Sequence, residues 1–376
     1  MFFAGMGGSD GLAAQRGRVP PVSALPCRRR TDRMSGMRGE AMAEFGLKEG
    51  MYWEESEGDR LHCLLCPQSC RIAVGEFGVC RVRQNVGGVL RTHNYNRVSA
   101  VHWDPIEKKP LFHFYPGASI LSIGTVGCNL ACAFCQNWSI SQGTSGTRRL
   151  ATDEAVQMAV GERGNIGIAY TYNEPFIWFE YLLETARSVK EAGLHNVLVT
   201  NGYVNEEPLR EVLPYIDAMN VDIKAMGEGF YRELCRGRPE PPRRTVEVAH
   251  EAGCLVEVTN LVIPNWNDGE EEMRTLVDWV AGVSTEIPLH FSRYHPDHKL
   301  TEPPTPAETL LAAREMALEK LDYVYIGNVW GANGEDTVCP SCGKTVIVRA
   351  GFAVSRVSVK DGKCEFCGGA VRVVGT

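Results

Sequence analysis

What this chain has little of narrows the field first. Nowhere in its 376 residues does an uninterrupted apolar run reach the length of a bilayer crossing. No apolar h-region separates the first residues from Arg16, Arg18 and Arg28, so a secretory leader is not read there. Positive charge is not in excess. The 39 Lys and Arg face 46 Asp and Glu, a formal net charge of −7, which argues against a broad electrostatic grip on nucleic acid. Two local basic runs, Arg28-Arg29-Arg30 and Arg236 to Arg244, read as a solvated tail and a solvated loop. The expectation is a cytoplasmic protein with no membrane attachment and no indicated nucleic-acid partner.

Cysteine, by contrast, is plentiful, with 14 copies. In a reducing compartment, closely spaced cysteines bind metal or do redox chemistry more often than they form disulfides. Eleven of the 14 fall into three tight groups: Cys63, Cys66, Cys70 and Cys80; Cys128, Cys132 and Cys135; Cys339, Cys342, Cys364 and Cys367. Cys27, Cys235 and Cys254 stand apart and read as buried or incidental thiols.

Between these groups the chain changes character. Residues 1–41, rich in Gly, Arg, Met, Ala and Pro, read as a disordered extension, and Met34, Met37 and Met42 raise an overextended gene start. Residues 43–100 form a Cys-rich N-terminal region with glycine turns between short strands. From 101 to 332 strands and helices alternate, with six or seven units beginning at Ile120 to Ile123. On the helix after Leu255–Val262, Met273, Leu276, Val277 and Val280 share one face. Such repetition implies a parallel sheet with right-handed crossovers. It has too few units for a complete eight-stranded barrel, so the fold class is α/β with a partial barrel, a doubly wound open sheet being the competitor. No G-x-G-x-x-G follows the first strand, against a dinucleotide site. Residues 334–376 are short, Val- and Gly-rich, and bracketed by paired cysteines.

The chemistry concentrates in Gly127-Cys128-Asn129-Leu130-Ala131-Cys132-Ala133-Phe134-Cys135-Gln136-Asn137-Trp138. Three cysteines in eight residues let a short loop wrap three thiolates around a [4Fe-4S] cubane. Zinc would need a fourth ligand, and the next cysteine is Cys235. One iron is thus left open to a small chelator, for which the amino and carboxylate groups of a methionine derivative suit. Phe134 and Trp138 would screen the cluster from water. The bland alternative is a structural three-cysteine site closed by a distant His or a fourth Cys.

This C-x3-C-x2-C segment, with an aromatic residue before its last cysteine, resembles the signature of the radical S-adenosylmethionine (SAM) superfamily. Its context narrows the likeness. Asp104-Pro105-Ile106-Glu107-Lys108-Lys109-Pro110-Leu111, Phe114, Pro116-Gly117, Gln136-Asn137-Trp138 and the Cys63 group resemble the radical SAM enzymes of the AmmeMemoRadiSam system. Those are themselves similar to pyruvate formate-lyase activating enzymes. The resemblance implies a partial (β/α)6 TIM-type barrel and reductive cleavage of SAM to methionine and a 5′-deoxyadenosyl radical. That radical abstracts hydrogen from an unidentified substrate, with electrons from a donor such as ferredoxin or flavodoxin. Proteins of the same gene system are candidate partners.

Residues at strand ends carry over position by position. Glu174, in Thr171-Tyr172-Asn173-Glu174-Pro175, matches the glutamate that holds the SAM ammonium, although the glycines of the family segment are missing; a helix-cap role is the plain alternative. Thr200-Asn201-Gly202 resembles the Thr-Asn-Gly of the activating enzymes, and Asp222-Ile223-Lys224 their Asp-Leu-Lys. Arg293-Tyr294-His295 matches a Tyr-His near the adenosine. Glu257 and Asn260, among apolar neighbours, are expected to face SAM. The SAM contacts read here are therefore Glu174, Asn201, Asp222, Lys224 and His295.

Two further metal modules follow from spacing alone. Cys339-x2-Cys342 and Cys364-x2-Cys367, 21 residues apart, read as a zinc ribbon whose closed metal site supplies folding energy. Cys63-x2-Cys66-x3-Cys70-x9-Cys80 could close on zinc or bind an auxiliary Fe–S cluster. Two competing functions stand beside SAM cleavage on an unknown substrate. One is a non-catalytic Fe–S or zinc sensor, and the other, within the enzyme class, is a glycyl-radical activase.

Overall fold

The computed structural model describes residues 47–329 and 334–376; the extension read at 1–41 lies outside the described residues. Runs such as Ile120-Leu121-Ser122-Ile123 are fully buried, as strands covered by helices on one face and packed inward on the other must be. They assemble into one eight-stranded sheet. In chain order its strands are β1 (Ala100–Pro105), β2 (Ser119–Gly124), β3 (Asn165–Tyr170), β4 (His195–Thr200), β5 (Ala218–Asp222), β6 (Leu255–Val262), β7 (Leu289–Arg293) and β8 (Val324–Gly327).

Strand β1 runs antiparallel to β2, and every later neighbour is parallel. Spatial order equals chain order throughout, so there is no point at which the order reverses, and the doubly wound competitor is excluded. Among the described residues β1 and β8 remain edges that do not pair with each other.

Helices cross between the strands: α1 (Thr152–Gly161), α2 (Phe179–Glu191), α3 (Glu206–Val212), α4 (Glu240–Glu251), α5 (Glu270–Val283) and α6 (Ala307–Ala317). Helix α5 buries Met273, Leu276, Val277 and Val280, the stripe that the sequence predicts. A 3-10 turn, Pro175–Trp178, leads directly into α2. Its proline occupies a position where no N–H is needed, and the Glu174 carboxylate caps the Phe176 N–H.

Short antiparallel strands precede this sheet. Trp53–Ser56, Arg60–Cys63 and Arg71–Ile72 form one small sheet; Lys48–Glu49, Val89–Thr92 and Arg83–Val86 form another. Arg83 fastens them to α2 through Glu180 at 3.0 Å, both side chains being buried. After β8, Thr337–Val338, Thr345–Ala350 and Ala353–Val357 make a three-stranded antiparallel sheet. It too is tied to the main sheet. The Arg349 guanidinium lies 3.5 Å from Glu107 with both side chains wholly buried, and donates to the Phe112 carbonyl at 2.6 Å.

Glu257 belongs to this same seam rather than to the expected SAM-facing surface. Its carboxylate accepts from His290 at 2.6 Å and from the His113 backbone N–H at 2.8 Å. His113 donates from Nδ1 to the Arg372 carbonyl, so its Nε2 must accept from the Tyr325 hydroxyl at 2.6 Å. Burial explains the neutral ring: it holds His113 down at about 4. The partners of Glu257 come instead from β7 and from the segment before β2.

Candidate active site

The Cys128–Cys135 loop follows β2, at the carboxyl end where parallel sheets of this kind carry their working residues. Gly127 opens it with φ +90, and a side chain there would strike the Cys80 carbonyl, so glycine is required twice over. The loop's backbone is held from several directions. Ala131 and Ala133 donate their N–H groups to the carbonyls of Cys235 and Leu234 at 2.9 and 2.8 Å. The Asn129 amide donates to the Tyr203 carbonyl at 2.6 Å, and Gln142 to the Cys132 carbonyl at 2.9 Å.

Each sulfur has a polar neighbour. The Asn201 amide approaches the Cys128 sulfur at 3.6 Å and the Leu130 N–H at 3.5 Å; the Ser141 hydroxyl lies 3.2 Å from Cys135. Cys235, Lys224 and backbone N–H groups act on Cys132 and lower its pKa, against the effect of burial. Burial first, then Glu174 and the other two thiols, push Cys128 well above the usual range. Phe134 is buried against Phe230, with ring centroids 5.6 Å apart. Trp138 is partly exposed and stacks on His298 at 5.2 Å. Three thiols on one short loop, each with a hydrogen-bond donor or cation near it, fit a cluster of net negative charge.

The strand-end residues gather beside this loop unevenly. Glu174 is buried, and its carboxylate already accepts from Phe176 N–H at 3.0 Å, Asn201 N–H at 2.8 Å and the Thr200 hydroxyl at 2.8 and 3.0 Å. Burial raises it to about 7 despite these bonds. The helix cap is therefore present, and the same carboxylate shapes the end of β4. Gly202 turns that end at φ +66. Asn201 joins both Cys128 and the Asn129 side chain, the latter at 3.0 Å.

Lys224 donates to Asp222 at 2.8 Å. Burial opposes its charge, but Asp222 and the thiols of Cys132 and Cys235 outweigh it and hold the ammonium well above the ordinary lysine range. Asn260 supports that segment, donating to the Ile223 carbonyl at 2.8 Å. His295 is exposed on the loop after β7, three residues before the His298 that stacks on Trp138.

Sequence reasoning missed Cys235. It is fully buried at the end of a π-helical turn, Tyr231–Cys235, close enough to Cys132 to help lower the pKa of that thiol. Nothing in the spacing announced it, because 102 residues lie between the pair.

The C-terminal cysteines come together most tightly. The ligand atoms of Cys339, Cys342, Cys364 and Cys367 all lie within 4.8 Å of one another, with sulfur pairs at 3.8 and 3.9 Å. Zinc–thiolate bonds of about 2.3 Å in a tetrahedron place sulfurs ~3.8 Å apart, so this group can hold a metal of that kind.

A mainly parallel sheet with a three-cysteine loop beyond β2 defines an α/β protein whose cysteines lie at the carboxyl edge of the sheet. Comparison with known proteins makes the class specific. The family model of the radical SAM superfamily matches residues 122–277. An uncharacterized protein of Methanocaldococcus jannaschii is 43% identical over 337 residues, spanning 87% of this chain and 100% of its own. The pyruvate formate-lyase-activating enzyme of Clostridium pasteurianum is 22% identical over 177 residues, 45% of this chain and 72% of its own. Among solved structures, a radical SAM methyltransferase from Sphaerobacter thermophilus covers 82% of this chain and 85% of that chain, at 14% identity and a TM-score of 0.43. The chain belongs to the radical SAM superfamily. Cleavage of SAM to a radical is general to that family, which implies a [4Fe-4S] cluster and SAM as cofactors. Among the described residues no helix is long and apolar enough to cross a membrane.

Proposed function

We propose that this protein cleaves SAM reductively on a cluster held by Cys128, Cys132 and Cys135, and uses the radical to take hydrogen from a substrate. The observation that carries the reading is the loop's setting. Three thiols sit at the carboxyl end of β2 with polar residues from β4 and β5 converging on them. When bound, the cluster and SAM supply the electron transfer and the radical.

The chain's own residues bind and orient. Asn201 steadies the Cys128 thiolate, and Lys224, kept charged by Asp222, compensates the negative charge around Cys132. Glu174 acts by holding the Thr200–Asn201 turn in place, and a SAM ammonium held there would share oxygens that already accept from Phe176, Thr200 and Asn201. Phe134 and Leu130 exclude water from the sulfur side. In this reading the sheet curls as a partial barrel, His295 reaches the adenosine end, and the C-terminal four cysteines hold structural zinc. We place the protein with the AmmeMemoRadiSam radical SAM enzymes on its Asp104–Leu111 and Gln136-Asn137-Trp138 segments, working in the cytoplasm with a low-potential electron donor.

A second reading, a glycyl-radical activase, has the activating enzymes among the relatives in its favour. It requires a partner protein that presents a glycine loop.

The test is anaerobic reconstitution with iron and sulfide, reduction with dithionite, and addition of SAM. Release of 5′-deoxyadenosine is expected, and Cys132→Ala abolishes it while lowering the iron content and the brown absorbance. An intact cluster that releases none would leave the sensor alternative in its place. A glycine-centred radical on a candidate partner, seen by electron paramagnetic resonance (EPR), would select the activase.

A further inference from the structure

We infer that Cys63, Cys66, Cys70 and Cys80 hold a second iron–sulfur cluster, placed to exchange electrons with the Cys128–Cys135 loop. The fold brings the four together from two loops. The strands Arg60–Cys63 and Arg71–Ile72 pair antiparallel, which sets Cys63 and Cys70 at the neck of one loop with Cys66 inside it. The Cys63 N–H donates to the Cys70 carbonyl at 2.9 Å and closes that neck. Cys80 arrives on the following loop, which passes directly over Cys70. The Val79 N–H lies 3.4 Å from the Cys70 sulfur, and a side chain at Gly78 would touch the same sulfur at 3.5 Å.

Three of the four cysteines are buried, and Cys66 feels the charge of all the other three. A positive group waits beside them. Arg83 is 1% exposed, its Nε has no partner, and its charge couples to Cys63 and Cys80 as well as to Glu180. A buried cation whose charge couples to two of these thiols fits a site of net negative charge, since four thiolates outweigh the metal they bind.

Spacing distinguishes this group from the C-terminal four. Among the described residues, the C-terminal four are the group whose donors all close to within 4.8 Å, as a tetrahedral zinc site demands; the Cys63 group is not drawn together to that limit. The wider setting suits thiolates standing at the corners of a cage.

Position supplies the role, which rests on the SAM-cleavage reading above. The two cysteine loops touch on both sides of Cys128. Gln68, between Cys66 and Cys70, donates to the Asn129 carbonyl at 2.8 Å and to the Arg236 carbonyl at 3.0 Å. The Cys80 carbonyl sits against Gly127, and Arg81 reaches the Ser141 and Gln142 carbonyls just beyond Cys135. One electron enters the second cluster from an external one-electron protein donor and leaves to the first, so each SAM cleaved draws one electron and the second cluster returns to its oxidised state.

The test counts iron and zinc in the anaerobically purified full chain and in a Cys128→Ala/Cys132→Ala/Cys135→Ala variant. Expected are about eight irons per chain in the first and about four in the second, with an EPR signal on reduction that survives in the variant. If the triple variant fails to fold, the wild-type count alone decides, because about four irons with two zincs per chain would overturn the inference. Loss of all iron from a folded variant would overturn it equally. Failure of SAM cleavage with about eight irons present would sink the proposed function and leave this site standing.

Discussion

Asn201 donates its side-chain amide toward the Cys128 sulfur at 3.6 Å while its backbone N–H is held by Glu174 at 2.8 Å, so one residue links the end of β4 to the cysteine loop. Replacing it with alanine removes a donor from a thiolate. Asn201→Ala is expected to lower the reduction potential of the loop's cluster, because hydrogen bonds to cluster sulfurs stabilise the added electron. Potentiometric titration followed by EPR checks the sign. The variant also loses about 1–2 kcal/mol of stability with the bond to Asn129.

The seam beneath the sheet predicts a pH limb. His113 is held at about 4, against an ordinary value near 6.5 in the unfolded chain. Its surroundings are Glu257, His290, Tyr323, Tyr325 and Arg349. Between these two values the unfolded chain binds more protons than the folded one, so stability is complete above pH ~6.5 and falls as pH drops toward ~4. The loss amounts to about 3 kcal/mol from this group. His113→Gln keeps an acceptor for Tyr325 and a donor for the Arg372 carbonyl but cannot titrate. Urea unfolding across pH 7 to 4.5 should show a shallower acid limb in the variant.

Arg349 and Glu107 make a second demand on the same seam. Arg349→Met leaves the buried Glu107 uncompensated and is expected to cost about 3–5 kcal/mol. The double change Arg349→Met with Glu107→Gln should recover a large share, since no charge then stays buried alone. Thermal unfolding of the two variants measures the difference. Equal destabilisation by both would show that packing, not charge, fixes the seam.

At the C-terminal tetrad, Cys342 and Cys367 are exposed whereas Cys339 and Cys364 are buried. A chelator would therefore reach a metal held there from the open side. Removing it is expected to release one metal per chain and to open the segment around Thr345–Ala350 to trypsin, because so small a sheet has little core of its own. Cys342→Ser should reproduce that sensitivity without chelator.

Gly202 offers a local test of the Thr-Asn-Gly turn. A side chain there would meet Pro242 Cα at 3.0 Å and a Val221 methyl at 2.9 Å, with φ already at +66. Gly202→Ala is expected to cost more than ~1 kcal/mol and to weaken SAM-dependent turnover by displacing Asn201. A variant with unchanged stability and turnover would remove this turn from the site.

The sequence by itself determined what is local. Three cysteines within eight residues can meet on one cluster without help from the rest of the chain, and the C-x2-C pairs likewise announce a metal. The strand–helix alternation was legible because burying a parallel sheet on both faces forces continuous apolar strands and one-faced helices such as α5. Tertiary structure decided everything that depends on distant segments meeting. It set Cys235 beside Cys132, Gln68 against Asn129, and Glu257 with His290 and His113 instead of near SAM. No periodicity encodes such pairings. A buried polar side chain states in the sequence only that it needs a partner, and the path of the backbone alone chooses which one.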